Sequence, residues 1–186
     1  TLQGSAFGFD FNPAVDRIRI SSNSGQNLRA HPDTGAIVAT DKPLIYAGGA
    51  PVKPFVAGSA YTNPDVDPAT TTTLYNIESG LDLLVKQDPP NDGVLNIVGA
   101  HNVNATGLSG FDISKDNMGY AALLLAGTGS DLDQDMDARF GASANLGSPA
   151  CGVSQLMTID LATGAATMRG VIGSASPVRA LAVQLR

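Results

Sequence analysis

Three stretches decide the reading of this chain: Asn27-Leu-Arg-Ala-His-Pro-Asp-Thr-Gly35-Ala-Ile-Val38, Thr73-Leu-Tyr-Asn-Ile-Glu-Ser-Gly80-Leu-Asp-Leu-Leu-Val85 and Gln155-Leu-Met-Thr-Ile-Asp-Leu-Ala-Thr-Gly164-Ala-Ala-Thr-Met168. Each reads as a polar-flanked strand, a glycine turn and a second strand. Self-similarity at a period of tens of residues is the mark of a repeat architecture. The three hairpins are therefore expected to be equivalent, with Leu28, Leu74 and Leu156 in matching strands.

A second element keeps the same period. Gly8-Phe-Asp-Phe11 precedes Arg17-Ile-Arg-Ile20, Ser59-Ala-Tyr-Thr62 precedes Thr73, Gly110-Phe-Asp-Ile113 precedes Tyr120, and Val178-Arg-Ala-Leu-Ala-Val-Gln-Leu185 closes the sequence. Phe9 to Tyr61 spans 52 residues, Tyr61 to Phe111 spans 50 and Phe111 to Leu181 spans 70. An acidic insertion at about 127–153 accounts for the excess, and its removal restores roughly the 40–50 residues of a four-stranded propeller blade. Strict alternation in Arg17-Ile-Arg-Ile20 and Thr158-Ile-Asp-Leu161 argues for strands. Clusters such as Asn12-Pro-Ala-Val-Asp16 and Asp88-Pro-Pro-Asn-Asp-Gly93 argue for turns. The expectation is one all-β domain, 1–186, of β-propeller-like repeats of four-stranded antiparallel units, incomplete or closed by a partner.

Composition agrees with many short strands and tight turns. The 186 residues include 21 Gly and 11 Pro, are 43% hydrophobic and contain no Trp. The net charge of −6 argues against a nucleic-acid partner, which needs clustered Lys and Arg. No run reaches the roughly 18–20 apolar residues of a membrane span. Cys151 is the only cysteine, so neither an internal disulfide nor a cysteine-rich metal site is available.

Gly8-Phe-Asp-Phe-Asn-Pro-Ala-Val-Asp-Arg-Ile-Arg-Ile20, Gly25-Gln-Asn-Leu-Arg-Ala-His-Pro-Asp-Thr-Gly35, Thr72-Thr-Leu-Tyr-Asn-Ile-Glu-Ser-Gly80, Gln87-Asp-Pro-Pro-Asn-Asp-Gly93 and Leu161-Ala-Thr-Gly-Ala-Ala-Thr167 together give the sequence a resemblance to the bacterial domain-of-unknown-function family 4394. It implies a secreted or surface protein, hence an extracytoplasmic location, with propeller-type repeats. It carries over no activity and no catalytic residue. Family members have further repeats ahead of the position where this chain starts, which implies a ring closed by a missing precursor segment or by another copy.

Asp131, Asp133, Asp135 and Asp137 alternate through the insertion and are the candidate Ca2+ ligands. Calcium takes about six to eight hard oxygens, and closely spaced loop carboxylates supply them. Met136 stands where a helix-flanked calcium loop needs Gly, and Ala142 where it needs Glu. A solvated acidic loop is the competing reading.

Asp10 and Asp112 hold the same place in Gly-Phe-Asp. Turn carboxylates commonly accept backbone amides, and the functional alternative puts both at a central channel as ligands or an acid–base pair. His31 reads as a strand or turn residue and His101 as a surface polar residue. Asn104-Ala-Thr106 fits a glycosylation acceptor. No standard catalytic signature is present. The function expected is a non-enzymatic structural or binding protein that self-assembles through strand edges as a homo-oligomer. The alternative is a propeller-type, calcium-dependent hydrolase or lactonase.

Overall fold

The computed structural model describes residues 1–65, 67, 69–126, 153–173 and 176–183. Its described residues form three successive antiparallel meanders. The first joins β1 (Phe7–Asn12), β2 (Arg17–Ser22), β3 (Asn27–Ala30) and β4 (Ile37–Thr40) in chain order. The second contains β5 (Ile45–Tyr46), β6 (Val56–Tyr61), β7 (Leu74–Glu78), β8 (Leu83–Gln87) and β9 (Val94–Ala100). Within it β6 to β9 run as a meander, and β5 adds parallel to β9 through Ile45↔Val94. The third joins β10 (Ala105–Ile113), β11 (Gly119–Leu125), β12 (Ser154–Ile159) and β13 (Ala166–Ile172). Among the described residues helix is confined to a 3₁₀ turn at Pro90–Asp92. The all-β expectation holds.

The turns explain the hairpins. At the β3–β4 turn Gly35 has φ 66° and its amide donates to the His31 carbonyl at 2.9 Å. At the β12–β13 turn Gly164 has φ 81° and donates to the Asp160 carbonyl at 2.7 Å. These two hairpins are the same turn, at the same place in their sheets. A β-carbon at either glycine would be forced into the left-handed region.

The Thr73 hairpin is different, which corrects the expected threefold equivalence. Leu28 and Leu156 lie in the third strands of their sheets, but Leu74 opens the second strand of its own. A strand followed by a polar turn and another strand recurs at every hairpin of a meander, so that signal cannot count strands. The Phe9, Tyr61 and Phe111 elements do correspond: they lie in β1, β6 and β10, the strands that open the three meanders.

Those three strands also hold the sheets together. β6 packs along β1 on one side and along β10 on the other, and all six of its residues are buried. The main core fills the space between the second and third sheets, around Ile77, Leu84, Phe111, Leu123 and Ile159. The first and second sheets are joined by polar side chains instead. Arg19, 2% exposed, donates through Nη1 to Asn27 Oδ1 at 2.8 Å and to Asp41 Oδ2 at 2.7 Å, and through Nη2 to Asn91 Oδ1 at 2.7 Å. Arg29 grips both oxygens of Asp41 at 2.8 and 2.9 Å. Gln87 Nε2 donates to Asn27 Oδ1 at 3.2 Å, which ties in β8. Burying a guanidinium is tolerable only when its donors are matched in this way.

Candidate functional site

The strands that open the sheets frame a cleft of about 560 Å³, bounded by β1, β6, β10 and residues 179–182. Phe7, Phe9, Phe11 and Phe111 all line it, four of the chain's six phenylalanines. Successive side chains of a strand point to opposite faces. On β1 the even positions face β6: a β-carbon on Gly8 would strike Ser59, and Asp10 Oδ2 accepts the Tyr61 amide at 2.6 Å. Phe7, Phe9 and Phe11 share the other face. Phe9 and Phe11 are 54% and 55% exposed, with their rings edge to face at 6.0 Å.

On β10 the same positions recur. A β-carbon on Gly110 would strike the backbone of Ala180 and Leu181, and Asp112 Oδ2 accepts the Val183 amide. Each carboxylate also accepts the next amide of its own strand, Phe11 N for Asp10 at 2.7 Å and Ile113 N for Asp112 at 2.8 Å. Asp10 and Asp112 are therefore both fasteners between neighbouring strands and walls of the central cleft. Both carboxylates accept backbone amides as expected, but from strands and residue 183 and not at a turn.

Burial pushes the Asp10 carboxyl up from its ordinary 3.8 to about 6, against the lowering effect of the Tyr61 and Phe11 amides. The charge of Asp112 adds to the rise. At Asp41 burial works against the charged form, but the guanidiniums of Arg29 and Arg19 overcome it and hold the carboxyl below 3.8. The cleft thus offers aromatic edges and faces, one carboxyl able to carry a proton near neutral pH, and the positive charge of Arg179 at its rim.

The other singled-out residues fall elsewhere. His31 is the expected turn residue, with Nδ1 accepting the Asp33 amide at 3.2 Å. His101 is not a surface residue: it is fully buried, and Nδ1 lies 2.9 Å from the Gly164 carbonyl oxygen. Here β9 runs into the β12–β13 turn, so the loop between sheets is covered by the neighbouring sheet. Burial also lowers the His101 pKa, so the ring is held neutral. Asn104 is exposed just ahead of β10. Asp131, Asp133, Asp135, Asp137 and Cys151 lie outside the described residues. Among the described residues no three His, Cys, Asp or Glu side chains converge as a metal site would require. No described helix is long and apolar enough to cross a membrane.

Two features escaped the sequence reading. The Arg19–Asp41–Arg29 network was hidden because Arg17-Ile-Arg-Ile20 alternates as a strand with one wet face would. The exposed phenylalanine row was visible as Phe7, Phe9 and Phe11 at a spacing of two, but only packing reveals which face it takes.

No curated protein and no solved structure matches the chain. A family model does match, over residues 1–182: the chain belongs to the family described as Domain of unknown function (DUF4394).

Proposed function

We propose that this chain is a non-enzymatic, extracytoplasmic structural or binding protein, built as one propeller-like domain that self-assembles through strand edges. One observation carries the reading: residues 178–183 lie on β10 as β6 lies on β1, yet they have no ladder partner among the described residues. The geometry fits the opening strand of a further four-stranded unit. Ser154 and Asp112 take the amides of Val178 and Val183, and the rest of the segment, outside any described ladder, is a template for strand addition. A second copy, or a further segment of the same precursor, is the partner. The extracytoplasmic placement rests on the family resemblance, and fractionation of producing cells tests it.

Light scattering on the 186-residue chain from about one to one hundred micromolar tests the assembly, in the range where modest interfaces form. The mass is expected to rise with concentration, with amide exchange at residues 178–183 slowing as it does. A constant monomer mass with those amides already protected would overturn the reading.

The Asp10 carboxyl, held to about 6 beside Asp112, favours a second reading as a calcium-dependent hydrolase or lactonase, since a general acid works best near the operating pH. Its calcium would be held by Asp131, Asp133, Asp135 and Asp137. Turnover of a nitrophenyl ester or a lactone that needs calcium and is lost in Asp10→Asn would support it. Equal background rates with and without protein would dismiss it.

A further inference from the structure

The two seams of the second sheet are built from different chemistry. Between the second and third sheets lies the larger apolar cluster, with Ile77 and Leu84 on one side and Phe111, Leu123 and Ile159 on the other. A smaller cluster of Leu44, Tyr46, Val56, Val85 and Leu95 belongs to the second sheet and the linker leading into it. Among the described residues neither cluster includes a residue of β1 to β4. The first and second sheets share no ladder either. Beside the close packing of Gly8 on Ser59, what joins them is a buried chain of side-chain hydrogen bonds.

That chain runs from β6 to the end of β4. Ser59 Oγ donates to Asn76 Oδ1 at 2.5 Å, and Asn76 Nδ2 to Gln87 Oε1 at 3.1 Å. Gln87 Nε2 reaches Asn27 Oδ1, which also accepts from Arg19 Nη1, and Arg19 ends on Asp41. The Pro90 carbonyl takes Asn27 Nδ2 at 2.9 Å and Gln87 Nε2 at 2.7 Å. The stretch Gln87-Asp-Pro-Pro-Asn-Asp-Gly93, one of those behind the family resemblance, is thus the catch that holds the first sheet. Ser59, Asn76, Gln87, Asn27 and Arg19 are each at most 2% exposed. A buried polar network is stable only while every member is satisfied. Among the described residues Asp41 is the only anion paired with Arg19. The other groups around the pair are Arg29 on β3, the Tyr61 hydroxyl 3.4 Å from Arg19 Nε, and Asp10, opposite Arg19 in the β1–β2 ladder. The exposed Lys42–Asp92 pair lies next along the chain.

We propose that the first sheet is a releasable unit: when the charge of Asp41 is lost, β1 to β4 come away from the second sheet and lose their structure as one body, while the second and third sheets stay joined. Without that charge the Arg19 guanidinium is buried with no counter-ion, and breaking a buried pair on one side is strongly destabilising. The released meander cannot stand alone, because a small sheet needs an apolar face packed against something. The apolar seam between the second and third sheets does not depend on that charge. Release bares β6, whose six residues are all buried in the closed chain. Such partial openings are how proteins expose a surface without unfolding throughout. The device works within one chain, so it does not rest on the self-assembly reading.

Amide hydrogen exchange, read by mass spectrometry on the full chain at neutral pH, tests this in the wild type and in Asp41→Asn. In the variant, amides in β2 and β3 are expected to exchange within about tenfold of the free-chain rate, while those in β11 and β12 stay protected by more than about a hundredfold. In the wild type under sub-denaturing urea, β2 and β3 should open first, and with a smaller urea dependence than β11 and β12, because less surface is exposed in that step. Loss of protection in all three sheets together, in either protein, would make the array one cooperative body and overturn the proposal. Full protection of β2 and β3 in Asp41→Asn would overturn Asp41 as the group that holds the unit closed. Asp92→Asn, which removes an exposed carboxylate beside the same seam, should leave every sheet protected. An opening there as large as in Asp41→Asn would overturn the assignment to the buried pair.

Discussion

Phe111 and Phe9 hold corresponding places on β10 and β1, yet one is 5% exposed and the other 54%. Their own strands do not explain the contrast. Both follow a glycine, precede an aspartate and pair with an antiparallel neighbour. The neighbouring sheet decides: β6 offers Gly58 to Phe111, and no described strand offers a counterpart to Phe9. The same residue type is core at one seam and surface at the next, so the seam is the unit of packing in this array.

The largest expected effect separates those two sites. Phe111→Ala removes a fully packed ring and should cost about 3–5 kcal/mol in chemical denaturation. Phe9→Ala, at a concentration where the chain is monomeric, should cost less than about 1 kcal/mol. Equal losses would mean that the two faces are equally packed in solution, and the comparison would fall.

A smaller effect sharpens the β1–β6 seam. In the folded chain Asp10 keeps its proton up to about pH 6, whereas the unfolded chain releases it near 3.8. Between these values the folded state binds more protons, so stability falls as pH rises. The contribution is fully present below pH 3.8 and gone above about 6, and two units correspond to about 2–3 kcal/mol. Asp10→Asn should keep an acceptor for the Tyr61 amide and flatten this part of the profile. Asp41 has the opposite sign, because its stabilising charge is in place above 3.8 and is lost as pH falls through its lowered value. Melting temperature against pH for the wild type and Asp10→Asn separates the two, and superimposable curves would remove Asp10 as the buried carboxyl of the seam.

The smallest effect is at the surface. The Lys42–Asp92 pair closes to 2.8 Å, almost as short as the 2.7 Å of Arg19–Asp41, but its side chains are 73% and 47% exposed against 2% and 8%. Lys42→Ala should change stability by less than about 0.5 kcal/mol in a urea titration. A loss above about 1.5 kcal/mol would show that distance outweighs burial here, contrary to the usual behaviour of exposed pairs.

Much of the fold was legible because its signals are local. Alternation placed β2, and the Gly-Phe-Asp element found β1 and β10, the opening strands of the first and third sheets, whereas of the alternating Thr158-Ile-Asp-Leu161 only Thr158 and Ile159 lie in β12 and the other two residues turn toward β13. What was not legible depends on neighbours. Thr73 to Val85 has the composition of the Asn27 hairpin, and only the pairing of Leu74 with Gln87 puts it one strand earlier in its sheet. Arg19 reads as solvated until the second sheet supplies Asn91 beside it. His101 reads as polar surface until the Gly164 turn closes over it. The amide-accepting role of Asp10 and Asp112 was legible, whereas the aromatic wall of the cleft was not, because alternation says that Phe7, Phe9 and Phe11 share a face but not what the face meets.

The chain has no tryptophan, so a single introduced indole reports its own position. Acrylamide quenching of Phe9→Trp and Phe111→Trp, followed from nanomolar to about one hundred micromolar protein, tests the central claim that one seam is closed and the other open. The indole at position 111 should be shielded throughout. The indole at position 9 should be quenched freely in dilute solution. Shielding of position 9 already at nanomolar protein, or free quenching at position 111, would contradict the account.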